Sequence, residues 1–177
     1  MKKQLIYLIG QPGSGKSTVT NELFKDLPFE QHTKPIAHIE YPNSIQLGAV
    51  RESFSGTDAY PMNIQPKVVP FIKEADCMSF FAEGDRLAND KFFTACAAAS
   101  IDLTVFLLFT PNIIAAERRM ARGSNQSPTW LKGRITKVIR LWKHWGRKPY
   151  VLMGKKAPAE IVEDMLKHEQ VRRLVER

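Results

Sequence analysis

Cysteine is scarce: the 177 residues hold two, Cys77 and Cys96, both in apolar surroundings and without metal-ligand spacing. That excludes a disulfide-built scaffold and a cysteine-held metal, and reads instead as two buried free thiols in a reducing compartment. Long apolar runs are also missing. The first such run, Leu5-Ile6-Tyr7-Leu8-Ile9 behind Lys2 and Lys3, is too short for a signal peptide and far too short to cross a bilayer, so the expectation is a cytoplasmic protein with no membrane partner. Repeats and low-complexity tracts are absent, which removes solenoid and linker architectures. The most local of the absences is acidic. Between Arg118 and Lys156 there are twelve Lys or Arg and no Asp or Glu, whereas the rest of the chain holds fourteen basic and eighteen acidic residues. One segment therefore carries all the excess behind the net charge of +8.

What is present suits one compact domain over 1–177, with 44% hydrophobic residues to fill its core. The opening apolar run reads as a strand that stops at Gly10, with a helix from Ser17 towards Pro28. Ile36 to Glu40 reads as a second strand, broken by Tyr41-Pro42-Asn43. Residues 43–62 read mostly as loop, and a helix follows from Met62-Asn63 to about Ala75. Met78 to Ala82 forms a third strand ending in Glu83-Gly84-Asp85-Arg86, and Asn89 to Ser100 is helical. Leu103 to Phe109, almost wholly apolar, fits a strand covered on both faces. Pro111 opens a helix ending near Gly123. In Trp130 to Trp145 the residues Leu131, Ile135, Val138, Ile139 and Trp142 recur at helical spacing. A strand at Tyr150 to Met153 and a helix from Pro158 complete the chain. Such alternation predicts a three-layer α/β domain built on an open parallel sheet of five strands.

Between the first strand and the first helix lies Gly10-Gln11-Pro12-Gly13-Ser14-Gly15-Lys16-Ser17, followed by Thr18. This satisfies the whole phosphate-loop pattern in the strand-loop-helix context that the pattern requires. The glycines let backbone N–H groups turn inward around a β-phosphate, and the helix adds its N-terminal partial charge. Lys16 is expected to reach the β- and γ-phosphates of ATP, and the Ser17 hydroxyl to ligate Mg²⁺. A glycine-rich turn that binds nothing is the bland alternative.

On this loop, on the acidic-arginine cluster that ends a later strand, and on an arginine-bearing helix before a basic segment, the chain resembles P-loop kinases related to nucleoside and nucleotide kinases. The resemblance implies a P-loop kinase fold with strand order 2-3-1-4-5 and a helical lid, here the basic segment at about 118–148. It also implies that Arg118, Arg119 and Arg122 neutralise charge on the transferring phosphoryl group, with a solvated basic face as the alternative. The strings Gly56-Thr57-Asp58-Ala59, Glu83 to Asn89 and Trp130 to Lys137 are similar to phage kinases that phosphorylate 5-hydroxymethyluracil in DNA, which implies a modified pyrimidine as acceptor and a phage-encoded protein in the host cytoplasm.

A kinase needs one carboxylate near the attacking hydroxyl and another for the metal. Glu83 and Asp85 stand two apart at the end of the third strand and share a side if the strand continues, one as base and one organising Mg²⁺. Alternatively Asp85 caps the next helix and Glu83 pairs with Arg86. Asp58 is a rival base or a hydrogen-bonding partner for the acceptor, with Arg51, Phe54 and Tyr60 as candidate clamp and stacking groups and Arg86 as a further contact to it. A polar turn accounts for that loop equally well. In the acid-free segment Lys132, Arg134 and Lys137, interleaved with Trp130, Trp142 and Trp145, form the expected stripe of a nucleic-acid contact. The alternative is a solvated helix with tryptophans as core anchors, and Trp142 continues the apolar stripe. The same parts serve a free nucleoside or nucleotide, or a nucleotide-dependent nucleic-acid-binding switch without kinase activity.

Overall fold

The computed structural model of the chain describes residues 2–50 and 55–176. In chain order its elements are β1 (Gln4–Ile9), α1 (Lys16–Phe24), β2 (Glu30–His32), β3 (His38–Tyr41), β4 (Ser44–Leu47), β5 (Ala49–Val50), β6 (Ser55–Gly56) and α2 (Gln65–Glu74). There follow β7 (Ser79–Glu83), α3 (Asp90–Ala98), β8 (Asp102–Phe109), α4 (Asn112–Ala121), α5 (Pro128–Trp145), β9 (Val151–Met153), α6 (Pro158–Leu166) and α7 (Glu169–Val175).

Strand β1 is apolar from Leu5 onward because both of its faces are covered. Leu5, Tyr7 and Ile9 enter one core while Ile6 and Leu8 enter the other. The first core is closed by Val68 and Ile72 of α2, Phe92, Phe93 and Cys96 of α3 and Leu141 of α5. The second is closed by Val19, Leu23 and Phe24 of α1, with Ile161 and Met165 of α6 and Val171 and Leu174 of α7. Helices thus lie on both faces of the sheet, the three-layer α/β arrangement expected. Asn89 caps α3 by accepting from the Phe92 N–H (2.9 Å), and Ser127 caps α5 by accepting from Trp130.

The sheet has seven strands, in the order β2-β3-β4-β7-β1-β8-β9. Its five parallel members, β4-β7-β1-β8-β9, are the first, second, third, fourth and fifth parallel strands of the chain in the order 2-3-1-4-5. Two corrections follow. The second parallel strand is β4, inside the stretch expected to be loop, and the strand expected at 36–40 is β3, which runs antiparallel to β4 across the two-residue turn Pro42-Asn43. Strand β2 then extends the sheet as a second antiparallel edge, so the count is seven rather than five. Ser44-Ile45-Gln46-Leu47 is buried throughout although half of it is polar. Ser44 Oγ donates to the Leu174 carbonyl (2.8 Å), and Tyr41 donates to Gln46 Oε1 (3.1 Å), so burial leaves these groups satisfied. The final helix also divides into α6 and α7 at Lys167-His168. Cys96 is buried and Cys77 partly so, both as free thiols. No helix among the described residues is long and apolar enough to cross a membrane.

Candidate active site

Residues 10–15 join β1 to α1 at the carboxyl edge of the parallel sheet, with Gly13 and Gly15 at positive φ. A ring of donors holds the loop from outside. Gln11 Nε2 donates to the Thr110 carbonyl (2.6 Å), and the Thr110 hydroxyl returns to the Ser14 carbonyl (3.1 Å). From α4, Arg118 donates to the carbonyls of Ser14 and Gly154, both at 2.9 Å, and Arg119 donates to the Pro12 carbonyl (2.6 Å). Turning these carbonyls outward is the orientation that leaves a phosphate loop's N–H groups to face a polyphosphate. Lys16 Nζ lies over the loop and donates to the Gly10 carbonyl (2.9 Å), while Thr18 is exposed on the first turn of α1.

Across the sheet, β7 pairs with β1 so that Glu83 stands opposite Leu8, next to the loop. Glu83 is 2% exposed. Its Oε1 accepts from Ser17 Oγ (3.0 Å) and lies 3.2 Å from the Ser55 hydroxyl, which donates to Ser17 Oγ (2.8 Å). Burial pushes the Glu83 carboxyl above its ordinary range, offset in part by the nearby Lys16 and the Ser17 hydroxyl and reinforced by Asp58. Gly56 makes this packing possible: a Cβ there would lie 2.6 Å from Glu83 Oε1. Tyr7 lies beneath, donating to the Gly84 carbonyl (2.9 Å) and 3.1 Å from the Thr57 hydroxyl.

The strand ends at Glu83. Gly84 takes a φ of +111°, a conformation that L side chains rarely adopt, and turns the chain, so Glu83 and Asp85 do not share a strand face. Asp58, on a single helical turn at Thr57–Ala59, fixes that turn: its Oδ1 accepts from the N–H groups of Asp85 (2.7 Å) and Arg86 (3.2 Å). Asp85 faces α5, where it pairs with Arg134 and with Lys137 (2.8 Å). It neither caps α3, which Asn89 does, nor meets Glu83. Arg86 Nε donates to the Tyr60 carbonyl (3.1 Å).

The structure thus brings Lys16, Ser17, Glu83 and the Asp58 turn together at one edge of the sheet and joins Asp85 to the basic helix. It does not support Tyr60 as an exposed stacking group: the residue is 3% exposed, donates to the Ala37 carbonyl (2.6 Å) and accepts from the Gly48 N–H (2.9 Å). Arg118 braces the loop from behind, and Arg122 is exposed at the end of α4 with its Nε on the Arg118 carbonyl (3.3 Å). Arg51 and Phe54 lie outside the described residues. Lys132 is exposed on α5, Arg134 covers the half-exposed ring of Trp130 (4.9 Å to its centroid), and Trp145 donates to Asp90 (2.9 Å) while packing edge-on to Phe93. Sequence reasoning missed Ser55 and Thr110. No motif marks either, although Thr110 directly follows the last residue of β8, where parallel strands present site residues.

A phosphate loop between the first strand and helix of a 2-3-1-4-5 parallel core, with an acid on the adjacent strand facing the loop's serine, defines a P-loop kinase. Residues 1–168 match the family described as P-loop Nucleotide Kinase3, and the chain belongs to that family. No curated protein matches it. Among solved structures it is similar to a sugar kinase from Janibacter sp. (11% identity, 93% of each chain, TM-score 0.53). A deoxyadenosine kinase from M. mycoides, solved with dCMP and a flexible dCDP, is similar at 12% identity over 93% of this chain and 97% of that one (TM-score 0.51). A gluconokinase from Sinorhizobium meliloti is similar at 16% identity over 98% and 94% (TM-score 0.50). These likenesses are of fold.

Proposed function

We propose that the protein transfers the γ-phosphoryl group of ATP, with Mg²⁺, to the hydroxymethyl group of a modified pyrimidine carried in DNA. A hydroxyl and a buried carboxylate offer hard oxygen ligands, and the Ser17–Glu83 pair fits Mg²⁺ on that ground. Bound there, the ion would neutralise charge developing on the phosphoryl oxygens. In this reading Lys16 moves from the Gly10 carbonyl onto the phosphates, Ser17 and Glu83 would hold the metal, and the base is Asp85 or Asp58. Each candidate base is at present engaged, Asp85 with Arg134 and Lys137 and Asp58 with the turn that follows Gly84. Proton abstraction by Asp85 therefore requires α5 to release it.

The observation that carries the acceptor assignment is the docking of the acid-free helix α5 on Asp85. A polyanion lying along the rest of that helix, with Lys132 and Lys143 exposed, would pass beside the transfer site. Such an enzyme takes its base flipped out or from a single strand. A free nucleoside or nucleotide as acceptor is the second reading, and one observation favours it: Arg134, Lys137 and Arg140 are already paired with Asp85 and Asp90, which leaves α5 less positive than its composition suggests.

Incubation with radiolabelled ATP, Mg²⁺ and a panel of hydroxymethyluracil DNA, thymine DNA, nucleosides and monophosphates tests these readings. Label on hydroxymethyluracil DNA alone supports the proposal. Label on a small acceptor without stimulation by DNA replaces it with the second reading, and release of phosphate with no labelled acceptor overturns both.

A further inference from the structure

On the far edge of the sheet, the β2–β3 hairpin gathers donors that the phosphoryl-transfer site does not use. Cross-strand pairing sets His32 opposite His38 and Glu30 opposite Glu40, so all four side chains project on one face. The two imidazoles stack at 4.9 Å with 19° between their planes, and His38 is nearly buried against Phe71 of α2. The ligand atoms of His32, His38 and Glu40 all lie within 4.8 Å of one another, in the wall of a cavity of about 440 Å³ that also reaches Cys77.

With neutral rings the cluster holds more acceptors than donors. A neutral imidazole has one donor nitrogen and one acceptor. Both nitrogens of His38 face acceptors: Nδ1 is 2.8 Å from the Ile36 carbonyl and Nε2 is 3.1 Å from Glu40 Oε1. Either neutral tautomer sets two lone pairs against each other. The Nε2 of His32 is shielded from solvent without a hydrogen-bond partner, with the carboxylates of Glu40 (3.5 Å) and Glu30 (3.8 Å) beside it. A second proton on His38 alone would satisfy its two acceptors but leave His32 Nε2 shielded and without a partner. One divalent ion satisfies both rings.

We propose that His32, His38 and Glu40 form a binding site for a divalent transition metal of the zinc type. Two imidazoles and a carboxylate are a known zinc donor set, leaving a fourth position for water. Ligand atoms around a tetrahedral ion with bonds of about 2.0–2.1 Å stand about 3.3 Å apart, and the Glu40 carboxylate spans the two rings with its two oxygens, Oε1 3.1 Å from His38 Nε2 and Oε2 3.5 Å from His32 Nε2. The Nδ1–H of His38 donates to the Ile36 carbonyl, the outer contact that fixes a ligating imidazole with Nε2 towards its metal. The site lies three strands from β1, so the ion takes no part in phosphoryl transfer. It ties β2 to β3, the strand next to the Ala37 carbonyl that Tyr60 holds.

The full chain, stripped with chelator and dialysed, is titrated with Zn²⁺ by calorimetry, and its Tm is measured with and without the ion. One equivalent should bind and raise Tm. His32→Asn and Glu40→Gln, both at accessible positions, should each weaken binding at least about tenfold and abolish the Tm rise, while Ser17→Ala, which alters the phosphate-loop cation site, should bind Zn²⁺ as the wild type does. Absence of saturable binding, unchanged affinity in either hairpin variant, or loss of binding in Ser17→Ala would overturn the proposal.

Discussion

Lys16 and Glu83 face the same small volume with opposite electrostatic needs. The Lys16 ammonium is held over carbonyls that a polyphosphate would displace it from, and Lys16→Ala should lower phosphoryl transfer by at least about 10²-fold while leaving the circular dichroism spectrum and Tm close to wild type. Full activity in that variant would remove the phosphate loop from the reaction. Glu83 carries the larger tension, because burial raises its carboxyl above the unfolded value. An acid with a raised folded-state pKa contributes stability below its unfolded pKa and loses that contribution as pH rises through the folded one. Wherever Glu83 is ionised, its buried charge is thus a cost to the fold. Glu83→Gln, which keeps shape and an acceptor for Ser17, should raise the Tm of the nucleotide-free protein by a few degrees at pH 8, with the gain shrinking as pH falls. Turnover in the same variant should drop by about 10²-fold or more. Opposite movement of stability and activity is the signature of a site residue; a fall in both would make Glu83 a structural acid.

Helix α5 shows which parts of an element its sequence reveals. Its apolar spacing placed it within two residues of the observed start, and Val138 and Trp142 do pack on the core, but the fully buried residue is Leu141. Leu141→Ala should therefore cost about 2–5 kcal/mol, whereas Ile139→Ala, at a residue 49% exposed, should move Tm by a degree or two at most. Equal effects would mean that α5 is not docked as described. What the helical spacing left hidden is the partner of its charges. Arg134 and Lys137 meet Asp85 about fifty residues earlier in the chain, and a pairing at that separation leaves no local pattern. The same limit hid β4, whose polar Ser44 reads as loop because its partner, the Leu174 carbonyl, comes from 130 residues further along the chain. Elements whose apolar residues repeat at their own period, such as β1, β8 and α3, were legible. Releasing Asp85 by Arg134→Ala with Lys137→Ala should lower stability only modestly, since the three side chains are about a fifth to two-fifths exposed. Its larger effect should fall on kcat/KM for the acceptor: a fall of about tenfold would mean that α5 positions the acceptor, and a rise that the ion pairs hold Asp85 back as the base.

Over the molecule as a whole, charge is sorted rather than spread, and the sorting makes a measurable distinction between the two acceptors. The composition shows twelve basic residues without an acid between Arg118 and Lys156, but the fold divides them among tasks that composition cannot separate. Arg118 and Arg119 brace the phosphate loop, Arg134, Lys137, Arg140 and Lys156 pair with carboxylates, and Arg122, Lys132, Lys143, Arg147, Lys148 and Lys155 stand exposed. If DNA is the acceptor, this exposed group contacts phosphates, and the logarithm of affinity should fall linearly with the logarithm of salt concentration by about 0.7–0.9 per contact. Replacing Lys132, Lys143 and Arg147 with Gln should then reduce the slope by about 2–3 without changing ATP hydrolysis in the absence of acceptor. Neutralising Arg134 and Lys137 should do the reverse, altering turnover and leaving the slope nearly intact, because their charge is already spent on Asp85. An unchanged slope in the first variant would assign the exposed lysines to solvation and leave a free nucleoside or nucleotide as the acceptor.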